Sequence, residues 1–517
     1  MTELPTVYVD GETLSLSEVA AVAEQRATVS VSEDAWPKIH AARAVVDRIV
    51  REEETVYGIN TGFGALVHQR IAPNQIAELQ VNLIRSHATA LGEPMSVRDV
   101  RAMMLVRLNS LCKGHSGIHP RCIEQLVLFL NSGLHPVIPR IGSLGASGDL
   151  APLSHLALCL MGEGKLLVDG DHLSTADVLF QHGLIPVELT AKDGLSLING
   201  TSQMTAFAIL AHQELTQLLM FADLILATSM DARKCSLTPS NPSIHEARPH
   251  PGQSLVAQRL RTLLESSDIL ASHKQCDRVQ DPYSFRCAPQ VHGAVQESFS
   301  RLTEVLNIEL NSATDNPLVF PDPSNPGPHE VMSQGNFHGE IIALTCDAMS
   351  LALFELGSIS ERRIDQMLDP ARSALPPFLA KDSGLESGLM IVQYVAGSAL
   401  AELHGHASPR AAFSTSTSAG QEDHVSMGAT AAWNLRTAVL RLSEVLACEA
   451  LVAVEALEHA GEHSSPHVVG FVDRIRSISP PLAEDRSTSD ELIAIANHMR
   501  VGGWLARIEA EHGRLPR

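Results

Sequence analysis

The sequence feature that most constrains the fold is a run of about thirty residues that would be apolar on almost every side of a helix. Residues from about 426 to 458 include MGATAAWNLRTAVLRLSEVLACEALVAVEAL, in which charged residues are sparse. Such a helix needs neighbours on several sides. Segments of about 203–230 and 337–368 are similarly long. The sequence therefore predicts a bundle of long helices, and we expect the 426–458 helix to lie in a multi-subunit core.

The remaining periodicity predicts a mainly α protein with a smaller mixed N-terminal region. TVYVDGETLSL and ATVSVS alternate as short strands do, and helical periodicity begins near Trp36. Clusters of Pro, Ser, Asn and Asp predict loops at TPSNPSIHEARPHPGQ, FPDPSNPGPHE and SSPHVVGFVDRIRSISPPLAEDRSTSD. We expect an N-terminal domain over 1–200, a central long-helix bundle over 201–480 and a small helical segment over 481–517.

Charge and cysteine usage exclude several classes of protein. The chain has 38 basic and 59 acidic residues, a formal charge of -21, and no basic stripe, so nucleic acid is not an expected partner. The eight cysteines are scattered, and the N-terminus has no basic, apolar leader, so we expect reduced thiols in the cytoplasm. Polar residues interrupt TAFAILAHQELTQLLMFADLILATSM, which predicts a buried helix and no membrane span.

Common catalytic motifs do not fit the sequence. Ser147 lies in G-A-S-G-D, without the flanking glycine pattern or the preceding strand of a nucleophile elbow. No HExxH occurs, and His404 and His406 lack an obvious third ligand. No glycine-rich phosphate loop is present. We therefore expect neither a metal nor a nucleotide cofactor.

The stretch GSLGASGDLAPLSH places the small residues Ala146, Ser147 and Gly148 directly before Asp149. One interpretation is a flexible turn that starts a helix. The other is a reactive backbone, because small residues let an amide nitrogen attack the carbonyl two residues earlier. Loss of two waters would then leave a methylidene electrophile, with Asp149 assisting proton transfer and the helix start favouring electron density on the ring. Spacing alone leaves both interpretations open.

This stretch closely resembles the signature of the ammonia-lyases and aminomutases that build a methylidene-imidazolone from Ala-Ser-Gly. Matches to histidine ammonia-lyases continue through YGINTGFGALV, LQVNLIRSH, LINGTS, VQDPYSFRCAPQVHGA, ELNSATDNPLVF, GNFHGE and QEDHVSMG. The resemblance implies the long-helix fold of the fumarase/aspartase-like superfamily and a homotetramer whose active sites are shared between subunits. It also implies conversion of L-histidine to trans-urocanate and ammonia, using 4-methylidene-imidazol-5-one formed from residues 146–148.

The same resemblance implies roles for individual residues. In addition to the triplet, two tyrosines have implied catalytic roles. Tyr57 would be the base for the β-proton, and Tyr283 would assist ring formation or proton transfer. Arg286 would hold the substrate carboxylate, for which a guanidinium offers two parallel hydrogen bonds. The remaining implied roles are steering of amine and carboxylate by Gln280 and Asn199, a pocket wall at Phe337, and support of ring formation by Asp149 and Asn336.

Two residues favour histidine over other aromatic substrates. An imidazole offers an N–H donor and a second nitrogen, which Glu422 as acceptor and His87 as donor or acceptor would match. In the related tyrosine and phenylalanine lyases the counterpart of Ser86-His87 resembles His-Leu or Phe-Leu, and the glutamate is absent. Departures from the histidine lyase pattern at Ala90, Ser202 and Gly420 bear on substrate fit.

Two alternatives remain open at this stage. A lyase or 2,3-aminomutase for tyrosine or another aromatic amino acid would share the ring. A catalytically silent helical scaffold would share only the fold. The mass of the intact chain distinguishes the silent scaffold from an enzyme, because formation of the ring removes two waters from the chain.

Overall fold

The computed structural model describes residues 4–61, 71–146, 148–273 and 279–517. Within these ranges the secondary structure is mostly helical, which confirms the predicted mainly α fold class. The chain folds into two compact units. Unit 1 comprises 1–210, 303–346 and 410–433, and unit 2 comprises 211–302, 347–409 and 434–517. The division 1–200, 201–480 and 481–517 stays a prediction.

The described strands all belong to unit 1 and form small sheets. β1 and β2 pair in parallel, β3 pairs with β5, β4-β6-β7 form a three-stranded antiparallel sheet, and β8 pairs with β9. The first two confirm the predicted N-terminal strands. Their bounds are β1 Thr6–Val9, β2 Thr28–Val31, β3 Leu91–Pro94, β4 His135–Pro136, β5 Pro139–Ile141, β6 Lys165–Val168, β7 Asp171–Ser174, β8 Leu318–Val319 and β9 Val331–Met332.

The first helix was not predicted, although the sequence carries its start signal. Ser15 accepts a hydrogen bond from the Glu18 amide, and the Glu18 carboxylate accepts one from the Ser15 amide, which forms a capping box. The shorter helices of unit 1 are α1 Leu16–Ala23, α2 Trp36–Arg51, α3 Ile76–His87, α4 Val97–Cys112, α5 Pro120–Ser132, α6 Leu150–Leu160, α7 Thr175–Gln181 and α8 Asp193–Ile198.

The four longest helices contain four of the five chain boundaries between the units; the fifth, at 409/410, follows α17 (Met390–His406). The four helices are α9 Ser202–Ala232, α14 Ala288–Leu310, α15 Glu340–Leu368 and α18 Gly428–Leu457. Three of them confirm the long segments predicted from apolar periodicity, and α14 was not predicted. By length and composition alone, α9 and α15 could cross a membrane, and 89% and 61% of their apolar windows are buried within the protein. The burial of α9 agrees with the predicted buried helix.

The stretches predicted as loops contain helices that begin at proline. Pro242, Pro251 and Pro466 each lie in the first turn of a helix, where the missing amide hydrogen leaves no intrahelical bond unmade. The loop prediction was therefore wrong for parts of two stretches. The remaining helices are α10 Pro242–Ala247, α11 Pro251–Leu263, α12 Asp268–Ser272, α13 Tyr283–Arg286, α16 Pro370–Ser373, α17 Met390–His406, α19 Pro466–Arg476, α20 Ser489–Val501 and α21 Trp504–His512.

A single chain already covers α18. Leu435, Leu442, Leu446 and Val452 are 0% exposed within the one chain, and the position of this helix in a multi-subunit core stays a prediction. Its neighbours within the chain include Ile364 of α15 in a shared apolar cluster.

In unit 2, an ion pair without solvent exposure joins α15 to α18. Arg363 donates to both carboxylate oxygens of Glu449 at 2.5 and 2.8 Å, and both side chains are 0% exposed. Ser229 and Ser360 donate to the same carboxylate at 2.8 and 2.6 Å. Four hydrogen bonds thus satisfy a charge that would otherwise be costly to bury. The cysteines within the described ranges are all free, and all but Cys287 are buried.

Candidate active site

The backbone around the Ala-Ser-Gly triplet lies unusually close to a second segment. Gly148 has φ +75° and bridges Gly200, whose carbonyl accepts a 2.7 Å hydrogen bond from the Asp149 amide. A Cβ built on Gly148 would lie 2.2 Å from that carbonyl oxygen. Glycine is therefore required at this position by both backbone angle and space. Ser147 lies outside the described residues.

The Asp149 side chain is fully buried and does not cap the helix that follows it. Its Oδ2 accepts hydrogen bonds from the amides of Gln203 at 2.7 Å and Met204 at 3.1 Å, in the first turn of α9. Its Oδ1 accepts one from the Ser143 hydroxyl at 2.7 Å. Burial raises the pKa of Asp149 to about 6, although these hydrogen bonds lower it. The carboxylate can therefore exchange a proton near neutrality beside the triplet.

Ser143 and Gly200 are functional candidates that the sequence interpretation missed. The Ser143 hydroxyl accepts a 3.1 Å hydrogen bond from the Gly145 amide while it donates to Asp149. Ser143 thus holds in place both Gly145, which precedes the triplet, and the carboxylate of Asp149, which follows it. The available signals were a serine six residues before the aspartate and a glycine in LINGTS, and neither indicates its partner.

Two motifs distant in sequence are bonded to the triplet segment. The Gly145 carbonyl accepts hydrogen bonds from the Gly339 amide at 3.0 Å and from the Ser426 hydroxyl at 2.8 Å. These donors belong to GNFHGE and to QEDHVSMG. Ala146 is buried in a small apolar cluster with Val425 and Met427. The fold therefore brings three of the predicted motifs together around the triplet.

Asn199 lies at the end of α8, where a buried arginine holds the backbone. Arg107 donates to the Asn199 carbonyl at 2.7 Å and also to the Ser196 carbonyl. Arg107 is 0% exposed, and burial lowers its pKa to about 10. Its positive charge stabilises the C-terminal carbonyls of α8. The sequence interpretation missed Arg107 because it lies within the apolar run of α4.

Tyr57 is placed by a tight turn that packs against α8. Asn60 closes this turn, since its Oδ1 accepts from the Val56 amide at 2.9 Å and its Nδ2 donates to the Glu54 carbonyl at 2.5 Å. A Cβ on the neighbouring Gly58 would lie 3.0 Å from the Leu195 side chain in α8. Tyr57 itself is half-buried. The rest of its motif, from residue 62, lies outside the described residues.

His87 is the last residue of α3, a helix that packs on α6 and α8. Its Nδ1 is 2.9 Å from the Leu83 carbonyl, an acceptor, so Nδ1 must carry the hydrogen of that bond. Neutral His87 therefore presents Nε2 as an acceptor. The role of His87 as a switchable donor or acceptor stays a prediction.

Asn336, Phe337 and Glu422 lie on the two segments bonded to Gly145. Asn336 is exposed, and Phe337 and Glu422 are half-buried. The Thr417 hydroxyl donates to Glu422 Oε2 at 2.9 Å, and the two backbones form an antiparallel bridge. Since α18 begins only at Gly428, Glu422 is not in the first turn of a helix. Interaction with a helix N-terminus therefore does not explain this carboxylate.

The other three predicted residues lie in unit 2. Gln280 and Arg286 line a cavity of about 790 Å³, together with Lys234. The Arg286 guanidinium carbon lies 4.6 Å from the centroid of the Tyr283 ring, in cation–π contact, and Tyr283 is 71% exposed. Arg286 Nε is buried and has no hydrogen-bond partner among the described residues. This donor is available to an anion such as a carboxylate.

The three departures have different structural contexts. Ser202 is the first residue of α9, and its buried hydroxyl lacks a hydrogen-bond partner within the described ranges. Gly420 has φ +88°, a left-handed conformation that glycine adopts without strain. Ala90 lies beside Gly142, on which a built Cβ would be 3.1 Å from the alanine Cβ. Ala90 therefore contacts the start of the triplet segment.

A family model described as aromatic amino acid lyase matches residues 14–477. The chain belongs to the aromatic amino acid lyase family. Its relatives include the histidine ammonia-lyase of Symbiobacterium thermophilum, which is 44% identical over 98% of this chain and 99% of that protein. The histidine ammonia-lyase of Myxococcus xanthus is 42% identical over 98% of this chain and 99% of its own. These matches confirm the predicted family and the enzyme class, a carbon–nitrogen lyase.

Solved structures of the lyase family have the same fold. The histidine ammonia-lyase of Trypanosoma cruzi superimposes with a TM-score of 0.90 at 40% identity, covering 98% of this chain and 95% of its own. A tyrosine aminomutase from Streptomyces globisporus superimposes with a TM-score of 0.93 at 36% identity, covering 99% and 100%. Fold similarity therefore does not separate lyase from aminomutase.

Proposed function

We propose that the protein is a histidine ammonia-lyase that eliminates ammonia from L-histidine to give trans-urocanate. The observation that carries this proposal is the buried approach of Gly148 and Asp149 to Gly200, at the position where the family resemblance implies a backbone-derived electrophile. The full-length relatives named histidine ammonia-lyase support the choice of substrate. So does the presence of His87 and Glu422.

The residues present fit formation of 4-methylidene-imidazol-5-one from Ala146, Ser147 and Gly148. No side chain obstructs the backbone at Gly148, and the fully buried Asp149 has a pKa of about 6. Asp149 can thus accept and return protons during loss of the two waters. When formed, the ring supplies an electrophile without an added cofactor. We propose no metal or nucleotide for this reaction.

The side chains divide the elimination between binding and proton transfer. Tyr57 would accept the β-proton. The electron pair of the broken Cβ–H bond would form the Cα–Cβ double bond, and the pair of the C–N bond would leave with the amine. Arg286 would hold the carboxylate through parallel N–H donors, with the unpartnered Nε as one of them. Gln280 and Asn199 would orient the amine and carboxylate. Phe337 would bound the pocket, Tyr283 would assist proton transfer, and Asn336 would support ring formation.

Recognition of imidazole is assigned to His87 and Glu422. His87 presents Nε2, because its Nδ1 is committed to the Leu83 carbonyl. Glu422 accepts a hydrogen bond from Thr417, and a carboxylate has about four lone-pair sites with which it can accept from an imidazole N–H. A phenyl ring offers no polar group to this pair, and a phenol offers one hydroxyl where an imidazole offers two nitrogens.

We also propose a cytoplasmic homotetramer with shared active sites. Unit 2 exposes large apolar side chains on neighbouring positions of α17, where Ile391 is 57%, Tyr394 64% and Val395 42% exposed. Leu351 on α15 is 51% exposed. Contiguous exposed apolar surface of this kind is typical of a subunit interface. The free, mostly buried cysteines agree with a reducing compartment.

The test is product identification with the purified enzyme. Incubation with L-histidine should give near-ultraviolet absorbance of urocanate and one ammonia per urocanate, whereas L-tyrosine and L-phenylalanine should give neither. Intact-mass measurement should show a chain lighter by two waters. A chain of full mass with no turnover would instead identify a silent scaffold.

The alternative function is a 2,3-aminomutase, which the similarity to the tyrosine aminomutase structure favours. An aminomutase returns the amine to the β-carbon, so it would accumulate a β-amino acid and release little ammonia. Chromatography of the same reaction mixtures separates these products. Accumulation of β-histidine or β-tyrosine would replace the lyase proposal by this alternative.

A further inference from the structure

Three potential metal ligands meet in unit 1 beside the candidate substrate residues. His338, Glu340 and His424 each offer one ligand atom, and these atoms lie within 4.8 Å of one another. His338 lies in the turn before α15, Glu340 is the first residue of that helix, and His424 lies in the segment before α18. The two histidines are 86 residues apart in sequence, which is why the sequence gives no metal-binding motif.

The distances among these side chains suit a shared ion better than direct hydrogen bonds. His338 Nε2 and His424 Nδ1 are 3.5 Å apart, and the two rings stack with centroids 5.5 Å apart. Two ligands at about 2.1 Å in tetrahedral geometry are separated by about 3.4 Å. The Glu340 Oε2 atom lies 4.0 Å from His338 Nδ1, too far for a hydrogen bond.

The Glu340 carboxylate supplies an independent sign of a missing partner. Its Oε2 atom is buried and has no hydrogen-bond donor among the described residues, although the side chain as a whole is 38% exposed. A covered carboxylate oxygen without a donor is unfavourable. The N-terminus of α15 favours negative charge, but it supplies no donor to this atom. A cation between the three side chains would satisfy it.

We propose that His338, Glu340 and His424 bind one divalent cation of the Zn²⁺ class. Two imidazoles and one carboxylate are a ligand set that suits Zn²⁺ and Co²⁺, and three protein ligands leave coordination positions for water. His338 Nε2 lies on the His424 side, 3.3 Å from the His424 carbonyl oxygen, whereas Nδ1 lies on the Glu340 side, so binding of one shared ion requires the His338 ring to rotate and give up this long hydrogen bond.

The ion would tie together two segments that carry substrate residues. Phe337 immediately precedes His338, and Glu422 lies two residues before His424. Coordination would therefore fix the spacing of the loop before α15 relative to the segment before α18. Binding of the ion does not depend on the proposed reaction, so it can be tested in the absence of any substrate.

The experiment uses the full-length protein after treatment with a chelator. Titration with Co²⁺, followed by visible absorption, should show one ion bound per chain, and Zn²⁺ should displace it. His424→Ala and Glu340→Gln should each weaken Co²⁺ binding by at least about tenfold. His172→Ala is the matched control, because His172 is an exposed histidine of the same unit, on β7, outside the cluster. It should leave binding unchanged.

Two results would overturn the proposal. One is the absence of stoichiometric Co²⁺ binding by the wild-type protein. The other is equal affinity in wild type, His424→Ala and Glu340→Gln, which would place the ion on other histidines. Circular dichroism of each variant verifies that the helices are retained. If His424→Ala loses helical structure, the test rests on Glu340→Gln, which keeps the size of the side chain.

Discussion

Replacement of Gly148 by alanine tests whether close backbone approach is what makes the triplet functional. The new Cβ would lie 2.2 Å from the Gly200 oxygen, and ordinary contact begins at 3.4 Å, so the segments must separate by 3.4 - 2.2 = 1.2 Å. The Asp149 amide now donates to that oxygen at 2.7 Å, and the same displacement would break this bond. Loss of a buried hydrogen bond costs about 1–3 kcal/mol. The left-handed backbone adds about 1–2 kcal/mol.

Gly183→Ala is the matched control. Gly183 has φ +65°, and nothing lies within 4 Å of a Cβ built on it, so this variant incurs only the backbone term of about 1–2 kcal/mol. Gly148→Ala should therefore cost about 2–5 kcal/mol, roughly twice as much or more. The Tm of both variants is measured at one scan rate, because unfolding of a large chain is seldom reversible.

Intact mass gives the second readout of the same pair. Gly183→Ala should be lighter than its translated sequence by two waters, like the wild type, because its ring segment is undisturbed. Gly148→Ala should keep the full mass, because the displaced backbone no longer holds Asp149 against the triplet. Equal Tm and equal mass loss in the two variants would refute the reasoning.

Three further predictions concern charges. Asp149→Asn removes a carboxyl whose pKa rises from 3.8 to about 6 on folding. The free energy of unfolding of the wild type, relative to that of the variant, should therefore fall by about 3 kcal/mol as pH rises from about 4 to 7. Tm values of both proteins across that pH range check the sign. Glu449→Gln leaves Arg363 with a weakened partner and should destabilise unit 2 by about 3–5 kcal/mol, measured by denaturant unfolding. Arg286→Lys removes the guanidinium that would make two parallel hydrogen bonds to the substrate carboxylate, so KM for histidine should rise about tenfold with a smaller change in kcat. An unchanged KM would contradict the role of Arg286 in carboxylate binding.

The sequence predicted the helical core well, because apolar periodicity is a local property. The segments at 203–230, 337–368 and 426–458 are helices with nearly those bounds. Proline was the main source of error, since Pro242, Pro251 and Pro466 start helices and do not interrupt them. The covering of α18 by its own chain could not be predicted, because periodicity shows that a face needs burial without showing what buries it.

The same division applies to the candidate site. The triplet, Tyr57 and Arg286 are recognisable from their motifs, which are short and contiguous in sequence. Ser143 and Arg107 are ordinary residues whose roles depend on partners elsewhere. Neither a serine near an aspartate nor an arginine within an apolar helix indicates which carbonyl or carboxylate it will contact.

The sequence by itself determined the helices, the family and the small residues that let a backbone react, since each is written in contiguous residues. Only the tertiary structure decided that Gly148 lies against Gly200, that Asp149 loses solvent and holds a proton near pH 6, and that His338 and His424 face one another. The physical reason is that desolvation and close contact depend on the surroundings that distant segments create, and those surroundings exist only after the chain has packed.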